Sequence, residues 1–213
     1  MLISNAAFKA YDLRTSKELA KLRIGITGSP GTGKKSVGSE LAKITGKPLV
    51  LINDYAISHG FGKRKNSEFE VDEGRLYGKV PTEDSIVVGH LLPYVVKRNQ
   101  LDFVVVLRCS PATIKKRFVQ RGYSTSKLEE NVGAEVLGLI PYKALQTFGS
   151  SKLSEFDTTR SKPKTAARKI LDTIIGKRPK QFGAIDWLSQ AGSPNSLMKV
   201  LSISKSGRTV KDN

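Results

Sequence analysis

The residues of this 213-residue chain best suited to chemistry form one run, Gly28-Ser29-Pro30-Gly31-Thr32-Gly33-Lys34-Lys35-Ser36. Glycines at this density permit positive φ and close approach of a ligand to the backbone. An apolar run, Leu22 to Ile26, precedes them and reads as a buried strand. Val37 to Ile44 follows and reads as a helix. In a turn between strand and helix, unpaired N–H groups and a helix dipole end of about half an elementary charge converge on one concavity. The expected occupant is an anion, most naturally a phosphate, with Lys34 long enough to reach its terminal oxygens. The run departs from G-x-x-x-x-G-K-[ST] at one place. Lys35 stands where a magnesium-binding hydroxyl is usual, and Ser36, one residue later, is the candidate hydroxyl. No side chain is assigned as a direct metal ligand.

These residues need elements to hold them. The helix after the loop is expected over 34–45, with Gly46 as its stop signal. Leu49 to Ile52 reads as a second strand, with Asn53 and Asp54 at its carboxyl end. Ser85 to His90 reads as a third, with Gly89-His90 at its end. Asp102 to Arg108 is the clearest strand, its three valines indicating burial on both faces. Pro111 opens a helix to Gln120 with Ser110 as N-cap, and another is expected over 127–139, with Pro141 arguing against one helix through Phe148. Leu153 to Phe156 reads as a short strand running into Asp157-Thr158-Thr159, and Lys164 to Ile175 as an amphipathic helix. The alternation predicts a parallel sheet with helices on both faces, whose ligands bind at the carboxyl ends of the strands. The polar stretch 54–82 reads as an insertion over the site rather than a core element. The chain divides into an N-terminal arm (1–21, with Ser16 a candidate cap), a core (22–176) and a basic C-terminal extension (177–213), in which Ala184 to Leu188 forms a small apolar patch that could dock on the core.

Bulk composition narrows the class. The net charge is +17 and the pI about 10.0, which points to a polyanionic partner such as nucleic acid or a ribonucleoprotein. The single cysteine, Cys109, excludes an internal disulfide or a cysteine-built zinc site, and its place at the end of an apolar run assigns it to packing. No apolar stretch approaches the roughly 20 residues that span a bilayer. A cytoplasmic protein with no membrane partner is expected.

Several segments together resemble one family, the small adenylate-kinase-like P-loop proteins of ribosome assembly found in archaea and in eukaryotic nuclei. The resembling residues are GSPGTGKKS (28–36), GHLLP (89–93), VVVLRCSP (104–111), RGYSTSKLEENVGAE (121–135), EFDTT (155–159) and DWL (186–188). The likeness covers about residues 22 to 190, and the RGY…KLEEN segment is its most specific part. It implies the fold of a P-loop NTPase, a three-layer α/β sandwich with a mononucleotide-binding insertion (about 51–82) and a lid (about 121–131). It implies phosphoryl transfer from ATP, with Mg2+, to AMP, alongside a slower ATPase. The partners it implies are a small-subunit ribosomal protein and pre-ribosomal RNA, in small-subunit maturation. Carried over residue by residue, Gly31, Gly33, Lys34, Lys35 and Ser36 would line the ATP phosphates, with Lys34 following the transferred group. Arg121 would reach ATP from the lid, and Arg117 could assist. Asp157, Thr158 and Thr159 would lie beside the adenine, and the region that includes Asn53 and Asp54 would receive the mononucleotide. The family carries an acidic residue two places before the histidine of the third strand. Here those positions read Val88-Gly89-His90, so His90 remains as a catalytic candidate without its carboxylate, for which Asp54 or Asp84 could substitute. The alternative is a nucleotide-binding assembly factor with hydrolysis only or no significant catalysis.

Overall fold

The structure, a computed structural model, describes residues 19–65 and 68–190. Most of the N-terminal arm, Ser16 included, and the end of the C-terminal extension lie outside the described residues. Five strands build one parallel sheet: β1 (Ile24–Thr27), β2 (Leu49–Leu51), β5 (Ile86–Val88), β6 (Phe103–Arg108) and β7 (Leu153–Asp157), in the order β2-β5-β1-β6-β7. A separate antiparallel hairpin joins β3 (Gly62–Lys65) to β4 (Glu68–Val71). Central β1 pairs with β5 through Ile24↔Ile86 and with β6 through Ile24↔Phe103.

Alternation along the strands makes two cores, because successive side chains leave a strand on opposite faces. On one face Ile24, Ile26, Ile86, Val88, Val105 and Leu107 pack against α1 (Lys34–Thr45) and α8 (Pro163–Ile174), which contribute Val37, Leu41, Ala167 and Ile170. On the other, Val87, Val104, Val106 and Leu153 meet Ile52 and Ala56 of α2 (Ile52–Ser58), Leu92 of α4 (Leu92–Val95), and Ala144 and Phe148 of α7 (Leu139–Phe148). Gly25 belongs to this second face. A Cβ there would stand 2.7 Å from Leu101 Cδ1 and 2.9 Å from Leu92 Cδ2, so bare backbone admits the closely packed layer. The result is the expected three-layer sandwich with a parallel sheet flanked by helices.

The structure corrects several boundaries. The first strand starts at Ile24, not Leu22, and the third spans Ile86–Val88. Residues 54–82 are not merely an insertion. Ala56, Leu76 and Val80 are buried in the core, and Asp72 caps α3 (Glu73–Leu76) by accepting from Arg75 N. Only the hairpin stands apart from the main sheet. Beyond α5 (Pro111–Gln120), the helix expected over 127–139 is α6 (Thr125–Val136). Gly138, at φ +62°, ends that direction of chain before α7 begins. As expected, no single helix runs through Phe148: α6 ends at Val136, and Pro141 sits in the first turn of α7, where the helix requires no N–H. Among the described residues, no helix is long and apolar enough to cross a membrane.

Candidate active site

Three glycines shape the loop between β1 and α1: Gly28 at φ +139°, Gly31 at +89° and Gly33 at +91°. At Gly28 a Cβ would lie 2.2 Å from the carbonyl oxygen of Leu107, so that turn requires glycine both for its dihedral and for its space. Gly33 is the helix N-cap and offers no side-chain cap. The first bond of the α1 ladder runs from Val37 N to Gly33 O at 3.0 Å. The N–H groups of Lys34, Lys35 and Ser36 therefore precede the ladder and stand free of it. With no acidic residue in that first turn, the helix end is a cradle for phosphate oxygens. This backbone chemistry fits the triphosphate of ATP, and the exposed Ser36 is the hydroxyl available to an accompanying magnesium ion.

Lys34 is curled back on the loop. Its Nζ donates to Gly28 O at 2.8 Å and to Ser29 O at 2.9 Å. Burial pushes its ammonium down to about 7, against the opposing pull of Glu135. His90 follows β5 at the same sheet edge and is half-buried. Burial, with repulsion from Lys34 second, lowers its imidazole to about 4, so His90 is neutral at pH 7.

A cleft of about 780 Å³ opens beside the loop at Pro30. Asn53, Ile57, Phe69, Glu70, Val71 and Glu73 form one wall. Phe118 of α5, Tyr123 in the turn after it, and Lys127, Glu130 and Asn131 of α6 form the other, and His90 lies among the lining residues. No arginine lines it among the described residues. Asn53 reaches the cleft, whereas Asp54 is exposed and does not line it. Asp84 precedes β5, at the sheet edge opposite His90, so it cannot stand in for the carboxylate missing at Val88.

On the far side of the loop, residues after β7 close against it. Thr158 is buried, and its hydroxyl lies 2.8 Å from Thr32 O and 2.9 Å from Arg108 O. Its polar group is thus used within the protein. Asp157 and Thr159 remain nearer the surface, with Asp157 Oδ1 accepting from Thr159 N at 2.8 Å. Arg117 binds the same junction, donating from Nη1 to Gly31 O at 2.7 Å and from Nη2 to Thr158 O at 3.4 Å. Arg121 sits at the C-cap of α5, exposed, and does not line the cleft.

Sequence reasoning missed a buried charge cluster beneath the loop. Glu135 of α6 accepts from Ser29 Oγ at 2.7 Å, Arg108 Nε at 2.8 Å, Trp187 Nε1 at 2.9 Å and Cys109 N at 3.1 Å. Arg108 also pairs with Glu155 at 3.0 Å. Nothing in the local sequence around each residue announces these partners, which lie 26 to 106 positions apart. The expected docking of the 184–188 patch occurs through Trp187, while Leu188 stays exposed.

Comparison with known proteins agrees with this geometry. A family model described as "AAA domain" matches residues 24–138. A protein of Thermococcus gammatolerans named "Putative adenylate kinase" is 36% identical over 168 residues, 77% of this chain and 92% of its own length. One of the same name from Archaeoglobus fulgidus is 35% identical over 172 residues, 78% and 92% of the two chains. Among solved structures, shikimate kinase from Acinetobacter baumannii in complex with shikimate superposes with a TM-score of 0.55 at 18% identity, covering 78% of this chain and 99% of that one. The YorR protein of Bacillus subtilis, in complex with phosphorylated GDP, gives 0.51 at 17%, covering 71% and 94%. These two likenesses show the fold, a parallel α/β sandwich of the P-loop NTPase type. Identity of 35–36% across nine-tenths of these archaeal relatives, on that fold and with the glycine-rich loop at 28–36 in place, places this chain in the family of "Putative adenylate kinase" proteins to which they belong, a family of P-loop phosphotransferases.

Proposed function

We propose that the protein is a nucleoside monophosphate kinase converting ATP and AMP to two ADP, with slower hydrolysis of ATP when water replaces the acceptor. The observation that carries this reading is the anion cradle of α1 opening onto a cleft large enough for a second nucleotide. An AMP phosphate oxygen attacks the γ-phosphorus. The bond from that phosphorus to the β–γ bridging oxygen breaks, and ADP leaves with its electron pair. Such a transfer needs positioning and charge neutralisation more than covalent help from the protein. The loop N–H groups hold phosphate oxygens. Lys34 leaves the carbonyls of Gly28 and Ser29 to follow the moving group. Neutral His90 orients the attacking oxygen by hydrogen bonding without adding charge. Closure of α5 and α6 brings Arg121 onto the phosphates and excludes water, and Asp157 and Thr159 flank the adenine. Magnesium, when bound with ATP, offsets phosphate charge, and Ser36 is the hydroxyl offered to it.

The reading extends to partners, a small-subunit ribosomal protein and pre-ribosomal RNA in small-subunit maturation. Its support is the resemblance of the RGY…KLEEN segment together with the net charge of +17.

One observation favours hydrolysis without AMP transfer as a second reading. Among the described residues, the wall expected to receive the mononucleotide carries Glu70 and Glu73 and no arginine, a poor complement to an AMP phosphate. Coupled assays with ATP alone and with ATP plus AMP separate the readings. The kinase reading expects ADP formation to rise at least tenfold with AMP, and Lys34→Ala to abolish the rise. Equal rates with and without AMP, in folded protein, would establish hydrolysis and dismiss AMP as acceptor.

A further inference from the structure

Glu135 is fully buried, and a carboxylate offers about four acceptor positions. Four donors from three separate parts of the chain meet there: Ser29 in the phosphate loop on Oε2, and Arg108 and Cys109 at the end of β6, with Trp187 beyond α8, on Oε1. The segment carrying Trp187 is fastened at further points. Glu155 N donates to Gln181 O at 2.6 Å, Glu155 Oε2 accepts from Gly183 N at 2.8 Å, and Arg108 Nη1 donates to Ile185 O at 3.0 Å. Ser29 is the junction. Its carbonyl receives the Lys34 ammonium while its hydroxyl is held by Glu135. When Lys34 turns toward a phosphate, Ser29 loses that cation on one side and keeps Glu135 on the other. Trp187 stands two hydrogen bonds from Ser29.

We propose that Glu135 is a positioning residue that ties the phosphate loop to the C-terminal segment, so that anchoring of residues 181–187 through Trp187 is coupled to nucleotide occupancy of the loop. The inference rests on the kinase reading only in taking ATP as the ligand of the loop. Coupling of this kind is reciprocal. A partner that draws Trp187 off Glu135 weakens nucleotide binding by the factor with which nucleotide tightens the segment.

Trp187 is the only tryptophan of the chain, so its emission reports the anchor directly. The experiment titrates the full chain with MgATP, following binding by calorimetry and Trp187 by fluorescence, with amide exchange at 181–187 as a second record. The expected result is an emission change that saturates at the calorimetric Kd, with altered exchange across the segment. Trp187→Phe, which keeps a ring but removes the N–H, binds MgATP about fivefold or more weakly while retaining the parent's circular dichroism. Glu135→Gln behaves likewise if it folds; Trp187→Phe carries the test if it does not. Binding with no change in emission or exchange overturns the proposal, as does parental affinity in Trp187→Phe. Absence of any heat from MgATP with folded protein overturns the kinase reading and the coupling together, so the two failures are distinct.

Discussion

At the scale of single residues, the site is governed by two groups whose charge states burial has moved. Burial holds Lys34 down at about 7, against the ordinary 10.5. Above pH 7 it must take up a proton to become the cation that phosphate needs. MgATP affinity is therefore expected to fall by about tenfold per pH unit between pH 7.5 and 9, with close to one proton taken up on binding. Calorimetry in buffers of different ionisation enthalpy measures both, and Lys34→Met should remove the dependence. The same shift has a sign for stability. Between pH 7 and 10.5 the unfolded chain holds the Lys34 proton and the folded chain does not, so this group's contribution to stability rises with pH across that window. His90 acts in the acid range. Its folded value near 4 lies below the ordinary 6.5, so stability declines as pH falls from 6.5 to 4, by at most about 3 kcal/mol. His90→Asn should flatten that acid limb in urea titrations at pH 4.5 and 7. An unchanged limb would show that another group titrates there.

At the scale of elements, the phosphate loop is held by what surrounds it. Thr158 bridges the loop after β7 to Thr32 and to Arg108 with one hydroxyl, and Arg117 bridges Gly31 to Thr158. Thr158→Val keeps the shape and removes the hydroxyl, leaving buried carbonyls short of a donor. A loss of about 1–3 kcal/mol is expected, visible as a lower urea midpoint with an unchanged slope, together with weaker MgATP binding. Stability lost without any change in affinity would assign Thr158 to the core alone. An apolar cluster of Ile114, Phe118, Leu128, Val132 and Val136 with Cys109 joins α5 and α6 to the end of β6. Two side chains fasten α5 and α6 to the loop: Arg117 of α5 through Gly31 O, and Glu135 of α6 through Ser29 Oγ.

At the scale of the whole molecule, positive charge is concentrated. Residues 160–180 contain eight lysines and arginines, all exposed, against one acidic residue, Asp172. The stripe begins next to Asp157-Thr158-Thr159, runs along the outer side of α8 and continues toward the segment that Trp187 anchors. If pre-ribosomal RNA is a partner, this face is a described surface suited to its phosphates. Replacing Lys164, Arg168 and Lys169 with Gln should reduce the slope of log K against log salt by about 0.7–0.9 for each RNA phosphate that the variant no longer neutralises, leaving MgATP binding intact. A slope identical to the parent's would overturn this face as the RNA surface and leave the basic residues of 191–213 as the candidate.

The division between sequence and structure has a physical basis. The phosphate loop is legible because its function resides in backbone geometry, and glycine is the residue that such geometry demands. The parallel sheet is legible because strands buried on both faces are continuously apolar, as Val104 to Leu107 are. The helix start near Pro141 is not, because proline's effect depends on whether its missing N–H would have had a partner, which only the position of Gly138 fixes. Asp54 and Asp84 are equivalent along the chain as substitute carboxylates, and only the strands assign each an edge of the sheet. Glu135, Arg108 and Trp187 resemble ordinary surface-helix or strand-end residues along the chain. Tertiary structure alone makes them neighbours, because a buried ion pair is created by segments meeting in space and leaves no local period in the sequence. The sequence by itself marked 28–36 as a backbone suited to phosphate; the fold decided which distant residues hold that loop.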